Sequence, residues 1–143
     1  MASLLDDSVN VPRCAAHEAA VRPASVRTQV FAKLINNVQT DFCIINYSNR
    51  VLIFITQCAK IGNLFSVRQD TAQKNGITSP SPLFIYEISC LLGSDSEEIT
   101  QAIRSLAEKL YINKPILLSL TLPVPDHRTV ILLSEALLEH KCW

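Results

Sequence analysis

The chain has 143 residues, of which 48% are apolar and 18% are charged, and 13 basic residues balance 13 acidic ones. A chain of this length forms one domain whose core folds without disulfides or a structural metal. The basic residues are scattered singly and the longest apolar run, residues 51–55, is far shorter than the roughly 18 residues of a membrane span, so composition argues against nucleic-acid binding and membrane insertion.

Residues 1–25 contain Pro12, Pro23 and an alanine-rich stretch without a sustained period, which predicts a flexible tail before a domain of residues 26–143. Asp6 and Asp7 directly follow Leu4 and Leu5, so this region does not have the apolar core of a signal peptide. We expect a cytoplasmic protein, with the nucleus as a second location.

The first half of the domain has the pattern of four strands. From residue 26 to 34 apolar and polar residues alternate, which predicts a strand with Val30 and Leu34 facing the core and Phe31 as the exception. Residues 39–47 and 50–57 form a predicted hairpin, and a turn containing Gly62 leads into residues 64–68. These four strands are expected to form a meander.

Residues 69–82 are rich in polar residues, glycine and proline, which predicts a connecting loop. Loops of this length are usually functional or disordered. A fifth strand is predicted at residues 83–91.

Two helices and a sixth strand follow. Ser94 and Glu97 have the spacing of a capping box, and apolar residues continue from there at helical intervals to Leu110. Residues 116–122 are predicted as an apolar strand. Asp126 is placed to cap a second helix that ends near residue 140 and is apolar on more than one side.

The predicted fold class is α+β, with about six mainly antiparallel strands and two helices on one face. Such a sheet is about 29 Å wide, whereas two helices cover roughly 20 Å of one face only. Residues 51–55 and 116–120 are apolar on both faces of their strands. Either the sheet folds into two packed layers or a second subunit covers it, and we expect a dimer.

No catalytic, cofactor or metal site is expected from the sequence. The glycines are isolated, so there is no phosphate-binding loop, and the five cysteines include no CxxC pair. His140 and Cys142 alone cannot complete a zinc site, and His127 beside Asp126 is interpreted as a surface residue.

The residues that begin at Thr56 form the pattern TQxxKxGxL, which comprises Thr56, Gln57, Lys60, Gly62 and Leu64. This pattern, preceded by the apolar residues 51–55, resembles a strand, turn and strand of the proteasome assembly chaperone 3 family. Residues 28–30 resemble the family's first strand, residues 91–93 lead into the first helix as in the family, and Trp143 follows the last helix. The resemblance covers about residues 26–143, except for the connections at 36–41 and 123–126.

This resemblance implies a non-enzymatic chaperone without a cofactor. It pairs with proteasome assembly chaperone 4 or with itself, helps the α subunits of the 20S proteasome to form their ring, and leaves before the particle is complete. Within that framework the candidate dimer interface comprises Val51, Ile53, Ile55, Ile131 and Leu138. The candidate loop for contacts with α subunits contains Asp70, Lys74 and Asn75.

Two alternatives remain open at the level of sequence. A small longin-like adaptor or scaffold subunit of another complex also combines a sheet with two flanking helices. An enzyme would need a thiol nucleophile, and Cys58 beside a turn is the best candidate for it.

Overall fold

A computed structural model describes residues 25–71 and 84–143 of the chain. The predicted tail therefore lies outside the described residues except for Ser25, and so does the predicted loop from residue 72 onward. The elements are β1 (Arg27–Ile35), β2 (Val38–Asn46), β3 (Val51–Thr56), β4 (Leu64–Thr71), β5 (Phe84–Leu92), α1 (Glu97–Leu110), β6 (Ile116–Thr121) and α2 (His127–Glu139).

The strands form one six-stranded sheet in the order β1-β2-β3-β6-β4-β5. Every neighbouring pair is antiparallel except β3 and β6, which run parallel with Val51 opposite Ile116. The predicted α+β class with mainly antiparallel pairing is therefore confirmed. The described strands all belong to this single sheet, so the alternative of two packed layers is wrong for this part of the chain.

The prediction of a four-stranded meander is also wrong, because β6 lies between β3 and β4. Only β1, β2 and β3 follow one another as hairpin neighbours. The position of β6 has a physical reason: Leu118 and Leu120 are buried on one face of this strand, and Ser119 is buried on the other. A strand buried on both faces belongs in the middle of a sheet, where both of its edges are also paired.

The helix starts are fixed by side-chain caps. Ser96, not Ser94, caps α1: its hydroxyl oxygen accepts a hydrogen bond from the backbone N–H of Ile99 at 3.2 Å. The predicted capping box fails because the helix begins at Glu97, one position after the cap, where its side chain cannot reach back as an N3 residue would. The predicted cap of α2 is confirmed, since Asp126 Oδ1 accepts from the Thr129 N–H at 2.8 Å.

Both helices pack on the same face of the sheet, here called the helix face. Its strand residues and the inward side chains of the helices form one continuous buried cluster. The largest fully buried members are Ile35, Phe42, Ile44, Ile53, Ile55, Phe65, Ile103, Leu106, Ile112, Leu120, Leu133 and Leu137. None of the helices in the described ranges is long and apolar enough to cross a membrane.

The two faces of strand β1 are the reverse of those predicted. Phe31 stacks on Phe42 and on His140, with ring centroids 4.6 and 3.6 Å apart, while the side chains of Val30 and Leu34 are 73% and 66% exposed. The hairpin register places Phe31 opposite Phe42, and residues opposite each other point to the same face. The exception in the alternating pattern is thus the residue that faces the helices.

Candidate functional site

The face of the sheet that points away from the helices, here called the open face, is the candidate site. Side chains alternate along each strand, so this face carries the residues between the buried ones. Its central residues are Val30, Leu34, Cys43, Ile45, Leu52, Phe54, Leu117, Ser66, Arg68, Asp70, Ile85, Glu87, Ser89 and Leu91. Neither helix covers these residues, and the face divides into an apolar part on β1, β2 and β3 and a charged part on β4 and β5.

The apolar part contains a groove of about 310 Å³. Its lining comes from three strands and the loop that follows β3: Val30, Asp41, Phe42, Cys43, Phe54, Thr56, Ala59, Lys60 and Ile61. Ile61 is 59% exposed at the rim of this groove. A contiguous exposed apolar surface of this kind is typical of a protein interaction site in a water-soluble domain.

Thr56 shapes the loop beside the groove. Its hydroxyl accepts hydrogen bonds from the backbone N–H groups of Cys58 and Lys60, at 3.1 and 3.4 Å, and donates to the carbonyl of Lys60 at 2.9 Å. Ala59 adopts a left-handed conformation with φ of 54°. These hydrogen bonds order the loop, and they thereby fix the position of Ile61 beside the open face.

Asn63 joins the same loop to the sheet. Its side chain is buried, donates from Nδ2 to the carbonyl of Leu120 at 2.7 Å and accepts at Oδ1 from the Leu120 N–H at 2.9 Å. The amide therefore pairs with β6 as a neighbouring strand would. Gln57 adds a second bond, from Nε2 to the Thr40 hydroxyl at 3.0 Å. The TQxxKxGxL pattern thus builds the loop that borders the groove.

The charged part of the open face, together with Arg50 directly before β3, has two cationic and two acidic side chains that form no ion pair within 4.0 Å among residues 25–71 and 84–143. They are Arg50, Arg68, Asp70 and Glu87. Arg68 and Glu87 lie opposite each other on β4 and β5 and line a cleft of about 230 Å³ together with Ser66, Ser89 and Leu91. This part of the face has exposed charges available to a partner.

The structure separates the predicted interface residues. Val51, Ile53 and Ile55 have no exposed surface and belong to the core on the helix face, so a docked partner would meet their neighbours Leu52 and Phe54 instead. Ile131 is half-buried, and Leu138 is 43% exposed on α2. The strand and helix parts of the predicted interface therefore do not form one surface.

The predicted α-subunit contact loop is only partly described. Asp70 is exposed on β4, which extends to Thr71, so residues 69–71 are strand and not loop as predicted. Lys74 and Asn75 lie outside the described residues.

A second groove of about 410 Å³ runs between the first turns of the two helices. Its rim is polar, with Glu97, Glu98, Gln101 and His127, and its floor includes Ala102 and Val130. Acidic residues in the first turn of a helix are stabilised by the helix dipole, which explains Glu97 and Glu98 without a ligand.

Among the described residues, three side chains have a shifted pKa, and each shift has a structural cause. Burial raises the pKa of Tyr86, with the nearby Glu108 adding to the shift. Burial also raises the pKa of the Cys142 thiol. The hydrogen bonds from Thr129 lower the pKa of Asp126, which is the helix cap.

The described residues contain no cluster of three or more side chains that could hold a metal ion. Cys58 is exposed, and its thiol has no hydrogen-bond partner in the same part of the chain. The arrangement of the described residues therefore offers surfaces for binding.

Sequence reasoning missed the residues that dominate the open face: Val30 and Leu34 were assigned to the core, and Arg50 and Arg68 were not singled out. One signal was present. Phe31, the largest side chain in β1, interrupts the alternating pattern, and the largest apolar residue of an edge strand is a better marker of the packed face than the number of apolar residues.

Comparisons with known proteins agree with this architecture. The family model of proteasome assembly chaperone 3 matches residues 53–139, which is more than half of the chain. A chain from the crystal structure of a chaperone complex for yeast 20S proteasome assembly superposes with a TM-score of 0.61 at 12% sequence identity, covering 79% of this chain and 97% of that chain. At this identity the match shows a shared fold. No curated protein matches the chain at a significant level.

Proposed function

The chain belongs to the proteasome assembly chaperone 3 family and is a proteasome assembly chaperone. From that premise we propose that it promotes formation of the α-subunit ring of the 20S proteasome, as a dimer with proteasome assembly chaperone 4, and is released before the particle is complete. In this proposal its role is the binding and positioning of subunits.

The observation that carries this proposal is the open face. A sheet with helices on one side only leaves apolar groups such as Val30, Leu34 and Phe54 in contact with water. Burial of apolar surface contributes about 25 cal/mol per Å². A second chain that covers this face therefore stabilises the dimer through residues that contribute little to the stability of the monomer. The open face therefore supports a dimer in this proposal.

The partner in the proposed dimer presents a similar apolar sheet face. Two such sheets pack about 10 Å apart with interdigitating side chains. Asp70 and Glu87 at the β4 and β5 edge then lie towards the rim, as charged residues do in interfaces between proteins that also exist apart. A second copy of this chain is the alternative partner, and a modest interface with a polar rim suits a chaperone that must leave.

Contacts with α subunits are proposed at the end of the sheet where β4 stops and β5 begins, in the segment that contains Asp70, Lys74 and Asn75. Asp70 is exposed at this end of the sheet, where β4 leads into that segment. The same proposal places the chain in the cytoplasm and the nucleus, where proteasomes are assembled.

The experiment is affinity purification of the tagged full chain from cell extract, with mass spectrometry and native gels of the eluate. We expect α subunits and one second small chaperone, with little mature 20S particle. A matched variant, Val30→Glu, places a charge on the open face, and it should lose the second chaperone while remaining folded.

Recovery of neither α subunits nor a second chaperone from folded, abundant protein would refute the proposal. Recovery of coat or tethering proteins in their place would favour the longin-like adaptor. Retention of the second chaperone by Val30→Glu at the wild-type level would move the dimer interface away from the open face.

A further inference from the structure

Two arginines lie in one row across the centre of the sheet, at the end where β3 and β6 begin. Val51 pairs with Ile116 and Val67 pairs with Ile116, so Arg50, Pro115 and Arg68 occupy the next row on three adjacent strands. Neighbouring strands are about 4.8 Å apart, which places the two arginine backbones on the order of 10 Å from each other. Both side chains project from the open face, because their neighbours Val51 and Val67 face the helices.

A cleft of about 140 Å³ lies between these arginines. Its lining residues are Arg50, Ser66, Arg68, Pro115, Ile116 and Leu117. The lining contains two positive charges and no carboxylate, and its floor is apolar. A partner that covers the cleft would exclude water and strengthen any charge interaction inside it.

In the part of the chain that the structure describes, neither guanidinium has a partner of its own. Within residues 25–71 and 84–143, the side chains of Arg50 and Arg68 donate no hydrogen bond and form no ion pair. Glu87 lies opposite Arg68 on β5 and lines a separate cleft. Its carboxylate oxygens are not within 4.0 Å of the Arg68 guanidinium nitrogens, so the two form no ion pair. By contrast Arg104, which lies on α1, donates from Nη1 to the carbonyl of Tyr86 on β5 at 3.2 Å. Among the described residues, Arg50 and Arg68 are thus unpaired, whereas Arg104 makes a structural hydrogen bond.

We infer that Arg50 and Arg68 form a receptor for a carboxylate that the docked partner chain inserts into the cleft between them. The guanidinium group binds carboxylates through two parallel hydrogen bonds, and long flexible stems let two arginines about 10 Å apart converge on one acidic side chain. The Ser66 hydroxyl can donate a further bond. This inference rests on the proposed function, because it takes the open face as the surface on which the partner docks.

The receptor also provides what the apolar groove lacks, which is orientation. Apolar contacts are non-directional, so a groove alone allows the partner to slide or rotate on the sheet. A charge pair anchored at one end of the face fixes the register and excludes partners that have a cation or no acid at this position. The carboxylate requirement thus selects among chains with similar apolar sheets.

The test measures binding of the purified full chain to purified proteasome assembly chaperone 4, and its self-association, at low and high salt. The variants are Arg50→Gln, Arg68→Gln and the double substitution. Arg128→Gln is the matched control, since it removes the same charge from an exposed position at the start of α2. Melting temperatures verify that each variant is folded. An Arg50→Lys, Arg68→Lys chain keeps both charges but loses the paired guanidinium hydrogen bonds, so it should bind more weakly than the wild type while keeping the salt dependence.

We expect each single variant to weaken binding about tenfold, and the double variant more, because a hydrogen bond to a charged group contributes roughly 1.5–3 kcal/mol and each 1.4 kcal/mol is tenfold in affinity. The double variant should also lose most of the salt dependence, while Arg128→Gln binds as the wild type does. Wild-type affinity and salt dependence in the folded double variant would overturn the carboxylate receptor and leave the dimer intact. Failure of the wild type to bind either chaperone 4 or itself would overturn the proposed dimer, and the receptor with it.

Discussion

The two faces of the sheet are built from the same strands but have different roles. On β3 the residues of the helix face, Val51, Ile53 and Ile55, have no exposed surface, whereas Leu52 and Phe54 on the open face are half-buried. Both sets are apolar. The comparison shows that apolar character alone does not identify the core of this protein, because one set stabilises the monomer and the other is available to a partner.

The largest effect is expected from Ile53→Ala on the helix face. Removing a fully buried isoleucine side chain leaves a cavity, and such changes cost about 2–5 kcal/mol of unfolding free energy. Denaturant unfolding of the monomer measures this loss. The neighbouring Phe54→Ala is the matched control, because its side chain lies on the open face and its loss should affect stability less.

Equal destabilisation by Ile53→Ala and Phe54→Ala in a chain shown to be monomeric would contradict the claim that only the helix-face residues stabilise the monomer. Equal destabilisation only in the presence of the partner would support docking on the open face, because the partner then completes the burial of Phe54.

Asn63→Ala is expected to have the next largest effect. The substitution leaves both the N–H and the carbonyl of Leu120 without their buried partner, which costs about 1–3 kcal/mol. Because Asn63 also anchors the loop that borders the groove, this variant should weaken both folding and partner binding. Hydrogen exchange at the Leu120 amide measures the local loss, and unchanged protection there would contradict the role assigned to Asn63.

The element types were predictable from sequence because hydrophobic period and turn chemistry are local properties. The alternation of β1, the Ser48-Asn49 hairpin and the Asp126 cap depend on neighbours a few residues away, and all are present in the structure. The order of the strands was not predictable in this way. Placing β6 between β3 and β4 depends on how a crossover through α1 packs, which no local pattern encodes.

The sequence predicted that one face of the sheet would stay uncovered, but it did not identify which residues lie on that face. The count of strands against helices indicated that one face would stay uncovered, and the open face is uncovered by both helices. Choosing its residues required the facing of each strand, and a shift of one position exchanges the two faces. Val51, Ile53 and Ile55 were chosen where Leu52 and Phe54 lie on the open face.

Val30→Glu on the open face is expected to change binding much more than stability. Val30 is 73% exposed, and substitutions at such positions change the unfolding free energy by less than about 0.5 kcal/mol. A buried unpaired carboxylate in the dimer should lower the affinity at least about tenfold. Sedimentation of mixtures with the partner measures the affinity, and Lys109→Glu on α1, exposed on the helix layer, is the matched control.

The smallest effect concerns the helix layer at acid pH. The Thr129 hydrogen bonds lower the pKa of Asp126 in the folded state below its usual 3.8. The stability that this carboxylate contributes is therefore fully present above the usual pKa and is lost as the pH falls through the lowered value. Asp126→Asn keeps a helix cap without a titrating group.

The melting temperature of the wild type should accordingly fall more steeply below about pH 4 than that of Asp126→Asn. Identical slopes would show that the cap does not titrate with folding. Partner binding through the open face should be the same for both chains at neutral pH, because Asp126 lies at the start of α2 on the other side of the sheet.

By itself, the sequence determined the six strands and two helices of the described ranges, the hairpins and the cap of α2, because these follow from local periodicity and turn chemistry. The tertiary structure decided which apolar residues are core and which are surface. That choice depends on the register between distant strands and on the face to which the helices return, and it brings Arg50 and Arg68, 18 positions apart in sequence, to the two sides of one cleft.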